Sequence, residues 1–331
     1  MNDLFHLKIY CLEFVARATT PIEMGEYKGS ALRGAWQSYL QASFCGVPPS
    51  MRSDPIHQQA CPVCYLTSRE TNSETRRPYA LRPPLSRQAC YQSGEKFVFG
   101  FQLFGNTQAI FPYVLLAARE MGRDRGIGRN PQTAKQRGYF ELLEVNNLLP
   151  FTNQRIPVLK NGDSTIHPPS LAVEPQLISQ ICEQWLPDLN NGRTLKIDLL
   201  TPLRLINKEH LMRVFDPLVF FQRLLERLAD LSEQYGDPPF SEKKSTLGDL
   251  VNGLSPMAQN IRLVQDNTYW WDISGYSNRL GRSQPLGGLV GSVHLAADDW
   301  SELLPIFLWG EIVQLGKNIV KGGGWYHLEV I

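Results

Sequence analysis

Apolar residues recur along the chain with the periods typical of strands and helices. In FHLKIYCLEFVA, Phe5, Leu7 and Ile9 occupy alternate positions, which predicts a β-strand. In the following ALRGAWQSYLQASF, apolar residues lie three or four positions apart, which predicts a helix with Ser30 as its N-cap. Further along, EKFVFGFQLFG predicts a strand, TQAIFPYVLLAAREMG a helix and GYFELLEV another strand.

A second series of elements follows in the same order. TLKIDLLTPLRLI predicts a strand and DPLVFFQRLLERLADLSEQYG a helix. TYWWDISGYSNRL and LGGLVGSVHLA predict strands, DDWSELLPIFLWGEIVQLG a helix and GWYHLEV a last strand. The repetition indicates an internal duplication. We therefore expect an α+β fold of tandem ferredoxin-like (RAMP- or RRM-like) domains with antiparallel sheets.

Two stretches interrupt this periodic pattern. Residues 45–94 are rich in Pro, Ser, Arg and Cys, and predict a loop-rich insertion in the first domain. Residues 151–193 are polar and Pro-rich around QLISQICEQWL, and predict a linker with one helix. The expected domains are then residues 1–150 and residues 194–331, the second with a glycine-rich loop before its last strand.

Composition narrows the class of protein. The 331 residues are 43% hydrophobic, enough for a sizeable core. No stretch approaches the roughly 20 apolar residues of a membrane span, and the start MNDLFHLKIYCLEFVA lacks the features of a signal peptide, so we expect a cytoplasmic protein. The formal net charge is +1, so an anionic partner would have to meet local basic clusters.

The cysteines predict a metal site. In CPVC, Cys61 and Cys64 have the two-residue gap of a zinc knuckle, and Cys45 and Cys90 flank them in the insertion. We expect these four to hold a structural zinc ion, with His57 as a substitute fourth ligand. The alternative is free thiols in a surface loop. Four protein ligands leave no open position for chemistry at the metal.

Ordered motifs along the chain resemble one protein family. KGSALRGAWQSYL, CPVC, FQLFG, GYFELLEV, LTPLRL, YSNRLGRSQPLGGLVGSV and WGEIVQLGKNIVKGGGWYHLEV together are similar to the CRISPR repeat-cleaving endoribonucleases, the sixth Cas family of the RAMP superfamily. The resemblance implies two ferredoxin-like domains that bind the repeat of a precursor CRISPR RNA. It also implies metal-free cleavage, with a 2′-OH attacking the scissile phosphate to leave a cyclic phosphate end.

The chain departs from this family where catalysis is concerned. Many relatives carry a histidine on the first helix, but the corresponding segment here reads QSY and contains none. Lys28 and Arg33 are candidates for charge stabilisation at the phosphate, Tyr39 for orienting the hydroxyl, and His57 or His327 for proton transfer. A salt bridge for Arg33 and a core contact for Tyr39 are the structural alternatives.

Basic residues and glycines give the predicted RNA contacts. Arginine donates paired hydrogen bonds to phosphate, and bare glycine backbone would let RNA approach the amides. A solvated surface is the alternative for the charges. The candidates are Arg125, Arg129, Lys135, Arg137, Arg279, Lys317, Lys321, Gly322, Gly323 and Gly324.

Three functions compete at this point. The first is a processing endoribonuclease that stays on its product in an effector complex with other Cas subunits. The second is a family member that binds the repeat but cuts poorly, which the missing helix histidine favours. The third is a RAMP-type structural subunit that coats guide RNA.

Overall fold

The computed structural model describes residues 5–67, 76–133, 136–160, 162–163, 165–237, 253–254, 256–277 and 281–331. The chain forms two compact units. One comprises Ile9–Ala172, and the other comprises Met1–Lys8 with Val173–Ile331. Within the described residues, no helix combines the length and the apolar character that crossing a bilayer requires.

The first unit is a five-stranded antiparallel sheet with helices and a small insertion. Its strands are β1 (Ile9–Ala18), β2 (Ile22–Glu23), β3 (Tyr79–Arg82), β4 (Cys90–Tyr91), β5 (Lys96–Phe104), β6 (Phe140–Leu148) and β7 (Arg155–Lys160). Its helices are α1 (Gly29–Phe44), α2 (Pro55–Ala60), α3 (Pro62–Thr67) and α4 (Phe111–Glu120). The sheet order is β3-β5-β1-β6-β7, and β2 pairs with β4 apart from it.

This order is that of a ferredoxin-like domain extended by β7. Counting β1, β3, β5 and β6 as its four strands, the order is second, third, first, fourth, with α1 after the first strand and α4 after the third. Aromatic contacts fill the core beneath it: Phe14 and Phe99 stack with ring centroids 5.1 Å apart, and Trp36 of α1 lies 4.8 Å from Phe101. Strand β3 belongs to the segment predicted as a loop-rich insertion.

The second unit repeats this arrangement. Its helices are α5 (Pro175–Asn190), α6 (Pro217–Tyr235) and α7 (Leu304–Val313). Its strands are β8 (Leu195–Leu203), β9 (Ile206–Asn207), β10 (His210–Leu211), β11 (Arg262–Asp266), β12 (Tyr269–Trp271), β13 (Ser274–Ser277), β14 (Arg282–Pro285), β15 (Gly288–Ala296) and β16 (Tyr326–Val330). The sheet order is β11-β15-β8-β16, with β12 also paired to β15. Strands β9 and β10 form one small hairpin, and β13 and β14 form another.

The core of the second unit lies between its sheet and helices α6 and α7. Phe220 stacks on Phe307 with centroids 5.8 Å apart, and the Tyr326 hydroxyl donates to the Phe307 carbonyl at 2.8 Å. Helix α5 packs against α7 and β16. The segment predicted as a linker, residues 151–193, thus contains β7 of the first sheet and a helix of the second unit.

Candidate functional site

The glycine loop, residues 316–324, uses its amides inside the protein. Gly322, Gly323 and Gly324 are all buried. Their N–H groups donate at 2.8, 3.0 and 3.0 Å to the carbonyl oxygens of Ile319, Asn318 and Pro202. The expectation that these amides lie open to an RNA backbone is therefore wrong. Each donor already has a protein acceptor.

Close packing explains why this segment needs glycine. Gly324 has φ +69°, and a Cβ there would overlap the carbonyl group of Leu315. A Cβ on Gly323 would lie 2.7 Å from the carbonyl oxygen of Lys317. Gly322 has φ +88°, a conformation that favours glycine. The glycines thus let the loop fold tightly against the protein.

Two lysines project from this loop. Lys317 is exposed, and its N–H donates to the Arg204 carbonyl at 3.0 Å. Lys321 is half-buried, and its Nζ donates to Gln284 Oε1 of the β13–β14 hairpin at 3.2 Å. The loop is therefore bonded both to the end of β8 and to the hairpin.

Arg204, which is bonded to the loop, also belongs to an arginine–tryptophan stack. The stack consists of Arg204, Trp270 and Arg213. The guanidinium carbon of Arg213 lies 4.7 Å from the Trp270 ring centroid, and that of Arg204 lies 5.8 Å away. Arg204 Nη1 also donates to the Gly287 carbonyl at 3.1 Å. Trp270 is half-buried and Arg213 is exposed. Such a pairing of cations and an aromatic ring is suited to the bases and phosphates of single-stranded RNA.

No local pattern in the sequence predicts this stack. Arg204 and Arg213 flank the short β9–β10 hairpin, and Trp270 lies more than fifty residues further on in β12. Trp270, one of the two adjacent tryptophans of TYWWD, is the part of the stack that stands out in the sequence. Nothing in the periodicity, however, shows that the two arginines meet that ring.

Some of the basic residues predicted to contact RNA in the first unit make contacts within that unit. Arg125 lies 5.6 Å from the Tyr39 ring centroid, and Arg129 pairs with Glu23 at 2.6 Å. Arg137 is exposed. Lys135 in this unit and Arg279 in the other lie outside the described residues.

At the start of α1, Lys28 is enclosed by the protein. Its ammonium donates to the Glu26 carbonyl at 3.1 Å and to the Ser86 carbonyl, and the residue has no exposed surface. Burial lowers the pKa of Lys28 to about 8, while the charge of Glu26 acts in the opposite direction. In this position the Lys28 ammonium donates hydrogen bonds to backbone carbonyls and is not exposed to solvent.

Arg33, one turn into α1, has unused hydrogen-bonding capacity. The residue is half-buried, and its Nε is enclosed without an acceptor among the described residues. A buried guanidinium N–H without a partner costs free energy.

Tyr39 and Gln37 of α1 occupy the stretch where a family histidine would lie. The Tyr39 hydroxyl donates to Asp124 Oδ2 at 3.3 Å, and the ring is buried. Gln37 Nε2 donates to the Thr67 carbonyl at 3.3 Å. Both side chains are held by contacts within the unit.

His327 forms a hydrogen-bonded pair in the second unit. Its Nδ1 lies 3.0 Å from Glu311 Oε1, and Glu311 Oε2 accepts from the Leu328 N–H at 2.9 Å. Glu311 is buried, whereas His327 is exposed. The hydrogen bond to Glu311 raises the pKa of His327, against the opposing effect of burial. The pair leaves Nε2 as the outward nitrogen of the ring.

The insertion brings together a cluster of metal-ligand side chains. The ligand atoms of Cys45, His57, Cys61 and Cys64 all lie within 4.8 Å of one another. Cys90 is not a member, so this part of the predicted ligand set is wrong and His57 takes its place. Cys90 lies on β4, which pairs with β2, and its Sγ contacts the Tyr91 carbonyl at 3.7 Å.

The thiol of Cys45 shows how these groups interact. Burial raises its pKa, but hydrogen bonds with the Val47 backbone and with His57, Cys64 and Cys61 outweigh burial and lower the pKa to about 7. The Cys45 thiol is therefore shifted towards thiolate, the form of cysteine that binds metals.

Two family models match separate parts of the chain. Residues 7–171 match AF_1859_N, N-terminal domain. Residues 197–326 match the CRISPR-associated endoribonuclease Cas6. The second of these matches makes the carboxyl-terminal part of the chain similar to the Cas6 family. No curated protein matches the sequence.

Solved structures of Cas6 proteins share the fold. The Thermus thermophilus Cas6 superposes with a TM-score of 0.54 at 12% identity, covering 98% of this chain and 99% of that one. The chain in a partial Cas6-RT-Cas1–Cas2 complex gives a TM-score of 0.59 at 15% identity, covering 100% of this chain and 47% of that one. This chain thus spans about half the length of that neighbour. At these identities the likeness establishes the tandem ferredoxin-like fold.

Proposed function

We propose that this chain is a Cas6-type protein that binds CRISPR repeat RNA and cleaves precursor CRISPR RNA into guide RNAs. The observation that carries the proposal is the family match over residues 197–326, a span that includes both the glycine loop and the arginine–tryptophan stack. These two features combine cations and an aromatic ring on one unit, as single-stranded RNA binding requires.

The proposed reaction is an internal phosphoryl transfer. The ribose 2′-oxygen bonds to phosphorus and the bond from phosphorus to the 5′-oxygen breaks, which leaves a 2′,3′-cyclic phosphate. One proton leaves the 2′-hydroxyl and another reaches the 5′-oxygen. Arg33 is our candidate for stabilising charge on the phosphate oxygens, because its enclosed Nε has no acceptor among the described residues.

Weak or absent cleavage is the second candidate function. Helix α1 carries no histidine, His57 lies in the cysteine cluster and His327 is bonded to Glu311. Each of these observations removes or restrains a proton-transfer group. A chain of this kind would hold the repeat and the guide RNA without cutting quickly.

We assign no metal to the cleavage step. An ion in the cysteine cluster would have four protein ligands and no open position for water, so its role would be structural. We propose further that the chain stays on its product and works with other Cas subunits. The structural neighbour with a TM-score of 0.59, which belongs to a Cas6-RT-Cas1–Cas2 complex, supports a partner arrangement of this kind.

Incubation with end-labelled repeat RNA in EDTA tests the reaction. A single cut that leaves a cyclic phosphate, unaffected by EDTA, is the expected result. Stoichiometric binding of the repeat without a cut would leave the second candidate. Binding at regular intervals along arbitrary RNA would instead indicate a guide-coating subunit. Cleavage that depends on added divalent metal would contradict the proposed mechanism.

Substitution of Trp270 tests the RNA surface. Trp270→Ala removes the ring that both arginines contact, and loss of its stacking on RNA should weaken binding by about 1–3 kcal/mol. Trp271→Ala is the matched control, since successive strand side chains point to opposite faces. Equal repeat-RNA affinities for the two variants in a filter-binding assay would show that the stack is not an RNA contact.

A further inference from the structure

We propose that Cys45, His57, Cys61 and Cys64 bind one zinc ion, and that this ion fastens the insertion to the carboxyl end of α1. The proposal concerns folding and not cleavage. It stands independently of whether the chain cuts RNA.

The distances within the cluster are those of a tetrahedral zinc site. With Zn–S of about 2.3 Å and Zn–N of about 2.0 Å, tetrahedral geometry puts two sulfurs about 3.8 Å apart and a sulfur and a nitrogen about 3.5 Å apart. Cys45 Sγ lies 3.6 Å from Cys64 Sγ and 3.4 Å from His57 Nε2. Two edges of the tetrahedron are therefore already near their metal-bound lengths.

Local structure brings the ligands into place. Asp54 caps α2 by accepting from the His57 N–H at 2.8 Å, which places His57 in the first turn. The Cys61 N–H donates to the His57 carbonyl at 2.8 Å, so Cys61 closes α2. Pro62 then starts α3, on which Cys64 lies. The CPVC segment thus joins α2 to α3, and the sulfur atoms of Cys61 and Cys64 both belong to the cluster.

The ligand types favour zinc over other metals. Three sulfurs and one imidazole nitrogen in a tetrahedron suit zinc, whereas hard ions such as magnesium and calcium prefer oxygen. Cys64 is fully buried, while Cys45, His57 and Cys61 are partly exposed. An ion can therefore enter from solvent and still have one side of its shell closed.

The cluster connects the insertion to the first helix. Cys45 directly follows α1, and Cys64 lies on α3. The same two helices are joined by Gln41 Nε2, which donates to Thr67 Oγ1 at 3.1 Å. Helices of six residues such as α2 and α3 are too short to be stable alone, so a metal at their junction would add much of their stability.

Elemental analysis of the full chain, purified without chelator, tests the proposal. The wild-type protein and Cys90→Ser should each hold about one zinc per chain, while Cys64→Ser and His57→Ala should hold well under half of that. Cys90→Ser is the matched control because it removes an insertion cysteine outside the cluster. Cobalt substitution should give the visible absorption of a tetrahedral thiolate site.

Several results would overturn the proposal. One is a wild-type chain with little zinc even after incubation with zinc salt. Another is a mass lower by two hydrogen atoms, which would report a disulfide. A third is iron in place of zinc. Because loss of the buried Cys64 thiol can also alter folding, the metal-free wild-type chain supplies a second readout. Adding zinc should raise its Tm but leave that of His57→Ala unchanged, and equal Tm shifts for both would contradict the ligand set.

Discussion

At the residue scale, most predicted site residues are engaged in contacts within their own unit. The Lys28 ammonium donates to two backbone carbonyls, the Tyr39 hydroxyl donates to Asp124, and His57 belongs to the cysteine cluster. Ser86 and Asp124, which accept from Lys28 and Tyr39, lie 58 and 85 residues away, so residue type and local spacing alone do not reveal these contacts. Arg33 is different, because its enclosed Nε has no acceptor among the described residues.

The pair of His327 and Glu311 predicts a pH dependence of stability. Glu311 raises the pKa of His327, so the folded chain keeps a proton that the unfolded chain has lost. This stabilisation is complete below the unfolded pKa of about 6.5 and is lost as the pH rises through the higher folded pKa. We expect it to be about 0.5–1 kcal/mol, since the imidazole is partly exposed and the pair is screened by solvent.

Urea unfolding at pH 5.5 and pH 8.5 measures this contribution. His327→Gln should reduce the difference in the free energy of unfolding between the two pH values. His210→Gln, which removes an exposed histidine from β10, should leave it unchanged. If both variants retain the wild-type difference, the pair does not carry the pH dependence.

At the element scale, long periodic segments were predicted well and short ones were not. Helix α6 has a strong apolar stripe and β8 alternates between buried and half-buried positions, so both are visible in the sequence. Strand β3 has four residues within a segment that lacks periodicity. Its pairing with β5 completes the sheet, and only the partner strand makes it recognisable.

The glycine loop predicts a large stability effect for one methyl group. Gly324→Ala combines a positive φ with overlap at the Leu315 carbonyl, and we expect a loss of about 2–4 kcal/mol in the free energy of unfolding. Gly192→Ala is the matched control, because Gly192 also has a positive φ (+98°) but open space where its Cβ would lie. It should cost about 1 kcal/mol.

Chemical denaturation of Gly324→Ala and Gly192→Ala measures the loss in the free energy of unfolding of each variant. Similar losses would mean that the close approach at Gly324 is relieved by movement of the loop. A much greater loss for Gly324→Ala would show that close packing, not backbone conformation alone, requires glycine there.

At the scale of the whole molecule, a net charge of +1 conceals an uneven distribution. In the second unit, Lys317 belongs to the glycine loop and is bonded to Arg204, and Arg204 and Arg213 both contact the Trp270 ring. Lys196, by contrast, lies between two carboxylates, 2.9 Å from Asp198 and 3.3 Å from Glu329. Local charge rather than the total therefore decides where an anion is attracted.

Salt dependence tests this distribution. Affinity for repeat RNA should fall as salt rises, and the slope of log K against log salt should become shallower by about 0.7 in Lys317→Gln, for one lost phosphate contact. Lys196→Gln, the matched control, should keep the wild-type slope. An unchanged slope for Lys317→Gln in binding isotherms would remove this lysine from the RNA surface.

The sequence by itself determined the fold class, the duplicated order of elements and the resemblance to Cas6 proteins, because long periodic segments and ordered motifs are local properties of the chain. It also located the cysteine-containing insertion. Only the tertiary structure decided the contacts. It exchanged Cys90 for His57, placed the glycine amides against protein carbonyls, and brought Arg204 and Arg213 to Trp270. The bond from Gly324 to Pro202 and the contacts of both arginines with Trp270 join residues far apart in the sequence, which no local pattern encodes.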